Sequence, residues 1–446
     1  MRRKLSTLLL TLFFLFSFTI TSFAENADLP HIYGKTAIVI DVQTGEIIYS
    51  KDIDESPMYP ASTTKLLTAL LLAENKTKTD AILYTENAKK QDQYSLYKNL
   101  LIGKINIGDT MTADDVMKAL LIYSANDSAY MIADSVGGNP KSFADMMNAR
   151  IKKLGLKNSH FVTANGLDSN IPDHYTSAYD LSVIAREAYK NPWVKEVMQT
   201  KKTRIETSKG VIAYIENRNK LVGKKIDTAY ADKIGINLNQ LPASNAVCIG
   251  GKTGYTSKAG RCLVTFFEKD GRVLAGVVMK SIYDAKDSYV FNDMSKIINW
   301  SYAAERTPLY KANTEVKNIT VKYKPLKFIG PEKEVTIPLV LKKDVTYYEN
   351  DINKKELTTD LNISDINISK LSKDISVGKL VVKEREATKT YDLYPTLSST
   401  DIRKQNTLLY IVTGVGIVAV ILILLLLVKL ISNKGSRRRR NRRRRF

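Results

Sequence analysis

Cysteine and histidine are scarce in this chain. Its 446 residues include two cysteines, Cys248 and Cys262, and three histidines, His31, His160 and His174. Two cysteines exclude a disulfide scaffold as the basis of so large a fold. If the stretches around them are neighbouring antiparallel strands, Cys262 falls opposite a residue close to Gly254 or Thr256. Cys248 then lies beyond the Cα separation of about 7 Å that a disulfide tolerates, so both should be free thiols. Three histidines leave a Ser-His-Asp triad poorly provisioned, and none lies in a nucleophile-elbow context. An internal repeat is also lacking, and no cofactor or metal ion is expected.

Acidic residues are absent from both ends, and this accounts for most of a formal net charge of +21. Arg2, Arg3 and Lys4 precede an apolar stretch, Leu8 to Phe18, and Ser22-Phe23-Ala24 has the form of a cleavage site. Residues 1–24 therefore read as a secretory signal. Thr407 to Val428 is an uncharged run long enough to cross a bilayer. Residues 429–446 follow with Lys429, Lys434 and the arginines of 437–440 and 442–445. Positive charge on one flank predicts a cytoplasmic tail, an extracellular remainder and a cell-membrane location. Removing the thirteen basic residues of tail and signal leaves +8 for residues 25–428. That balance gives no reason to expect nucleic-acid binding.

Between the ends, Thr36 to Asp41 and Glu46 to Lys51 flank Val42-Gln43-Thr44-Gly45 as a hairpin. An apolar helix follows Pro60. Thr112 with Asp115 predicts a capped helix through Ile122. Helices are expected again at 129–136, 141–154, 176–189 and 285–302. Ala246 to Gly251 reads as a strand, and Cys262–Glu268 with Arg272–Met279 as a second hairpin. Residues 190–245 show no usable period. This order predicts a mixed α/β domain over 25–305, its first and last strands sharing one antiparallel sheet. Short β-branched runs after Pro308 predict a small all-β domain over 306–400, standing the first domain off the membrane, and one transmembrane helix at 407–428.

Three short motifs carry the chemistry. Ser62 begins the apolar helix, where free N–H groups and the helix dipole favour developing negative charge. Lys65, three residues on, shares its face, and a serine beside a buried lysine is the minimum for an amine-activated nucleophile. Ser124-Ala125-Asn126 sits between two helices, and Lys252-Thr253-Gly254 ends a strand. Taken singly, each is a common cap or turn. Together and in this order they form the signature shared by penicillin-binding proteins and class A β-lactamases.

Over about residues 30–305 the chain resembles the low-molecular-mass penicillin-binding proteins that act as serine-type D-alanyl-D-alanine carboxypeptidases. Residues 59–65, 123–129, 165–168, 174–180 and 250–256 carry the resemblance. It implies the penicillin-binding, β-lactamase-like transpeptidase fold. The substrate implied is a peptidoglycan stem peptide ending in D-Ala-D-Ala, with β-lactam antibiotics as acylating inhibitors. It further implies that Ser62 is the nucleophile and Lys65 its base, with Ser124 relaying a proton and Asn126 holding the Lys65 amine and a substrate amide. Lys252, Thr253, Gly254 and Tyr255 would line the substrate, with the Ser62 and Tyr255 N–H groups as oxyanion hole. A carboxylate-binding arginine is also implied; Arg261 and Arg272 are candidates. Alternatives are a serine β-lactamase on the same fold, weakened by the lack of glutamate in Thr163–Asp168, and a non-catalytic wall-binding protein.

Overall fold

The computed structural model describes residues 28–443. The expected leader, 1–24, lies outside the described residues. The chain divides into two compact units, one ending at Glu305 but including Tyr348–Lys355, the other comprising Arg306–Tyr347 and the chain from Glu356.

Five antiparallel strands form the centre of the first unit: β1 (Thr36–Asp41), β2 (Ile47–Lys51), β3 (Val247–Thr256), β4 (Gly260–Lys269) and β5 (Arg272–Ser281), in the order β2-β1-β5-β4-β3. The first strand thus pairs with the last, Thr36 opposite Met279 and Asp41 opposite Leu274. Both faces are covered, so the strands are apolar at nearly every position. Ile38, Ile40, Val264, Phe266 and Val277 point into one core. Ala37, Val39, Leu263, Phe267 and Val278 point into the other. This is the two-residue alternation of a strand, with both phases buried.

On the first face lie α1 (Lys65–Asn75), α2 (Ala113–Lys118), α3 (Asn126–Gly137), α4 (Pro140–Lys153), α5 (Ala178–Lys190) and α6 (Pro192–Gln199). Helix α1 is buried from Lys65 through Leu72, and so is apolar all round. The second core packs α7 (Tyr289–Ala303). The Thr112 cap forms, its side chain accepting from Asp115 N–H. Helix α3 starts at Asn126, three residues earlier than its apolar period, because Ser124 adopts a left-handed conformation that closes the preceding turn. The unperiodic stretch 190–245 holds α6, a hairpin of Lys202–Glu206 with Ile212–Glu216, and a short helix at Thr228–Lys233. Tyr348–Lys355 joins this unit through Asn350 and Asn353, whose side-chain amides donate to the Ile47 carbonyl at 2.9 and 3.0 Å.

A second five-stranded sheet forms the other unit: β6 (Glu315–Tyr323), β7 (Lys333–Leu341), β8 (Thr358–Ile363), β9 (Gly378–Lys383) and β10 (Thr388–Pro395), ordered β6-β7-β10-β9-β8. Its core is built from Ile337, Leu339, Leu380 and Leu393. A short helix, α8 (Ser399–Gln405), leads into α9 (Thr407–Arg443). Residues Thr407–Ile431 of α9 are long and apolar enough to cross a membrane.

Candidate active site

The chain enters α1 through one tight turn, Ala61–Thr64, in which Ser62 remains half-exposed. Two glycines bring other segments against this turn. A Cβ on Gly254 would lie 2.9 Å from the Pro60 carbonyl oxygen and 3.1 Å from Ser62 N, so β3 approaches Ser62 only because position 254 has no side chain. A Cβ on Gly166 would fall 1.9 Å from the Ala61 carbonyl oxygen, and Gly166 has φ +87°.

Lys65 Nζ is fully buried and sits 2.8 Å from Ser62 Oγ, 2.7 Å from Asn126 Oδ1 and 2.9 Å from the Asn165 carbonyl oxygen. Asn126 cannot turn round, because its Nδ2 donates to the Gln93 carbonyl at 2.7 Å. Burial, then the charge of Lys252, push the Lys65 amine well below its usual pKa, while Asp127 pulls weakly the other way. Two of the three partners are carbonyl oxygens, which only accept. A neutral amine gives them its two N–H bonds and turns its lone pair toward Ser62 Oγ.

Beside this group, Lys252 Nζ donates to Ser124 Oγ at 2.8 Å and to the Thr253 carbonyl at 2.9 Å. Burial, then Arg218 and Arg261, lower the Lys252 pKa to about 7. Ser124 has φ +73°, which turns its hydroxyl out of the helical run. Two hydrogen-bonded groups, Ser62–Lys65–Asn126 and Ser124–Lys252, thus stand close enough for the Lys252 charge to act on the Lys65 amine. Thr253 is half-buried and Tyr255 39% exposed on the same strand, β3, the edge of its sheet.

His174 is close by but buried as a brace. Its Nδ1 accepts from Val162 and Thr163 N–H, so Nε2 carries the proton and donates to Thr64 Oγ1 at 3.0 Å. Burial lowers its pKa to about 3. Ser62 is thus served by an amine, and a Ser-His-Asp reading falls away. Among the described residues no cluster of His, Cys, Asp and Glu could hold a metal ion.

The sequence model of the D-alanyl-D-alanine carboxypeptidase family matches residues 22–282. This chain belongs to that family. It is 29% identical over 396 residues to D-alanyl-D-alanine carboxypeptidase DacF of Bacillus subtilis, covering 86% of this chain and 91% of that one. A D-alanyl-D-alanine endopeptidase of Escherichia coli is 26% identical, over 67% and 86% of the two chains. Penicillin-binding protein 5 from Haemophilus influenzae shares the fold, with TM-score 0.54 and 23% identity over 83% of this chain and 98% of its own.

The family motifs thus meet in space, and three neighbours escaped the sequence reading. Asn165 acts through a backbone carbonyl, which no residue type announces, although its stretch resembled the family's. The Asp168 carboxylate accepts from Thr256 Oγ1 at 2.8 Å and ties that same loop to the end of β3. Arg218 lies in the unperiodic stretch, its guanidinium 5.3 Å from the Tyr94 ring and 4.8 Å from that of Tyr123. Of the expected arginines, Arg261 sits 5.0 Å from the rings of Tyr255 and Tyr283 and pairs with Asp287 at 2.5 Å. Arg272 instead pairs with Asp41 at 2.9 Å and donates to Tyr348 Oη.

Proposed function

We propose that this serine-type D-alanyl-D-alanine carboxypeptidase removes the terminal D-alanine from peptidoglycan stem peptides through an acyl-enzyme on Ser62. The observation that carries the reading is the buried Lys65 amine, shared by Ser62 Oγ, Asn126 Oδ1 and the Asn165 carbonyl. Lys65 takes the Ser62 proton as Oγ attacks the carbonyl of the penultimate D-alanine. The Ser62 and Tyr255 N–H groups hold the oxyanion, each donor worth about 3–4 kcal/mol. Ser124, resupplied by Lys252, hands a proton to the leaving amine. Water then hydrolyses the ester. The β3 edge at Lys252–Tyr255 offers backbone groups on which an extended stem peptide can lie as an added strand.

Lys252 is half-neutral near pH 7 and committed to Ser124, so it is a poor sole partner for the substrate carboxylate. Arg218, exposed between two tyrosines, is better placed for that role than Arg261, which Asp287 already neutralises. The loop facing Lys65 offers a carbonyl, Asn165, where the β-lactamase alternative needs a glutamate to position water. β-Lactams should therefore acylate Ser62 and leave slowly.

The membrane assignment is part of the same proposal. Thr407–Val428 spans the bilayer, the basic tail stays in the cytoplasm, and the catalytic unit lies outside, with 306–400 as its stalk. The uncharged span and the arginines beyond it support this orientation.

The test is to incubate the full chain with labelled penicillin and with a D-Ala-D-Ala stem peptide. Label recovered on the peptide containing Ser62, together with D-alanine release, is the expected result. Label on any other serine contradicts the assignment.

A further inference from the structure

Where α9 leaves the β-rich unit, the surface combines two features that a soluble stalk does not need. The loop between β6 and β7 exposes Phe328 and Ile329 side by side, at 91% and 76%. The same loop is tied to the first turn of α9. Tyr410 Oη donates to the Pro325 carbonyl at 3.3 Å, and Asn406 Nδ2 to Tyr323 Oη at 2.7 Å. Lys333 Nζ closes the other side, donating to Asn406 Oδ1 at 2.9 Å. Phe328 and Ile329 thus belong to a loop fixed at the level where the apolar run begins.

Within this junction lies a cavity of about 460 Å³, lined by Lys322, Lys324, Lys327, Arg403, Asp365 and Tyr410. Four cations meet one carboxylate there, and Glu334 approaches only Lys322, at 3.7 Å. A basic cavity opening beside the outer end of an apolar helix sits at headgroup depth, and an exposed apolar pair beside it sits at the acyl boundary.

We propose that this cavity binds the phosphate headgroup of an anionic phospholipid, with Phe328 and Ile329 inserted into the lipid surface beside it. The proposal rests on the reading of α9 as a membrane span. A zwitterionic headgroup brings its own ammonium toward Lys324, Lys327 and Arg403, so the cavity selects for net negative charge. Anchoring by the helix alone leaves the stalk free to tilt; a bound headgroup and an inserted loop give it a second point of attachment.

The test uses the full chain in nanodiscs of phosphatidylcholine with or without phosphatidylglycerol. Phe328→Trp supplies the depth probe, its emission read as the difference from the parent, whose tryptophans are Trp193 and Trp300. Lipids brominated in the acyl chain should quench the introduced indole, most strongly with phosphatidylglycerol present. The lipid retained on purification should be enriched in phosphatidylglycerol. The triple variant Lys324→Glu/Lys327→Glu/Arg403→Glu should lose that enrichment, since each cation near an anionic surface is worth about a fivefold change in binding. A circular-dichroism spectrum and a urea unfolding profile matching the parent's would show that the β-rich unit of the variant is folded. An unquenched indole at position 328, or equal enrichment in parent and variant, overturns the site while α9 stands as a span. A chain that fails to enter nanodiscs at all removes both readings together. Quenching that ignores lipid charge would also overturn it, leaving an apolar anchor without a headgroup site.

Discussion

A free lysine at neutral pH is protonated over a thousandfold more often than not, by the roughly 10.4 of its usual pKa. Lys65 escapes this through full burial and the nearby charge of Lys252. If the neutral form is the base, as proposed, acylation rises with pH only while Lys65 is still losing its proton. An ordinary lysine would keep adding about tenfold per pH unit up to pH ~10. The expected pH–rate profile for penicillin acylation instead stops rising well short of that range, because burial and the Lys252 charge hold the Lys65 amine well below its usual pKa. For peptide release an alkaline limb should appear near pH 7, where Lys252 loses the proton it supplies through Ser124. A continuous rise to pH 10 would contradict both assignments. Arg218→Ala should raise KM for the stem peptide roughly tenfold or more, as expected for a lost charge-assisted contact, with kcat less affected. An unchanged KM would return the role to Arg261. Ser62, Lys65 and their partners were legible because a helix start, a helix break and a strand impose local spacings. Asn165 and Arg218 were not, the one because backbone atoms have no sequence signature, the other because its segment has no period.

Among the elements, the strands of the central sheet and the buried helix α1 were readable from apolar runs, since both of their surfaces are covered. The meeting of β3 with the Ala61–Thr64 turn was not, although a glycine, Gly254, marks the point of contact. Gly254→Ala puts a methyl 2.9 Å from the Pro60 carbonyl oxygen and 3.1 Å from Ser62 N, so β3 must move away from the nucleophile. The variant should fold, as judged by circular dichroism, and lose about 10²-fold or more in acylation, the order of loss that a small misplacement brings. Gly166→Ala adds a left-handed φ to a harder clash, and should lower stability by about 2 kcal/mol or more. The loop that contains Gly166 is also braced by His174. Its folded pKa of about 3 lies below the unfolded value of 6.5. The unfolded chain therefore takes up a proton first as pH falls, and stability present above pH 6.5 is lost between 6.5 and 3. Urea unfolding at pH 7 and pH 5 should show that loss, on the order of 2 kcal/mol by one-proton linkage. His174→Gln should remove most of that difference; an unchanged difference would assign it to other groups.

For the molecule as a whole, the composition foretold an α/β unit, a β-rich unit and an apolar helix, because each has its own texture. The return of Tyr348–Lys355 to the first unit left no such trace; it rests on Tyr348, buried in the second core and bonded to Arg272, and on two asparagine amides reaching one carbonyl. The thiols were legible through register. Cys262 lies opposite Gly254 and Cys248 opposite Phe267, and Gly254 is six positions along the strand from Cys248, about 20 Å at strand rise. Both thiols are buried, free and raised to about 12. A thiol reagent should find neither in the native chain and both in urea. Native protein that shows an intramolecular bond by mass spectrometry would refute the register. Protease added to intact cells should digest the catalytic unit and spare a tag placed after Phe446. Loss of the tag would reverse the topology.

The measurement closest to the central claim is penicillin acylation of Lys65→Arg. Arginine keeps the positive charge and cannot serve as a base. If the Lys65 lone pair takes the Ser62 proton, the folded variant acylates no faster than Lys65→Ala. Acylation by Lys65→Arg near the parental rate would show that position 65 contributes charge alone, and would move the base to Lys252 acting through Ser124.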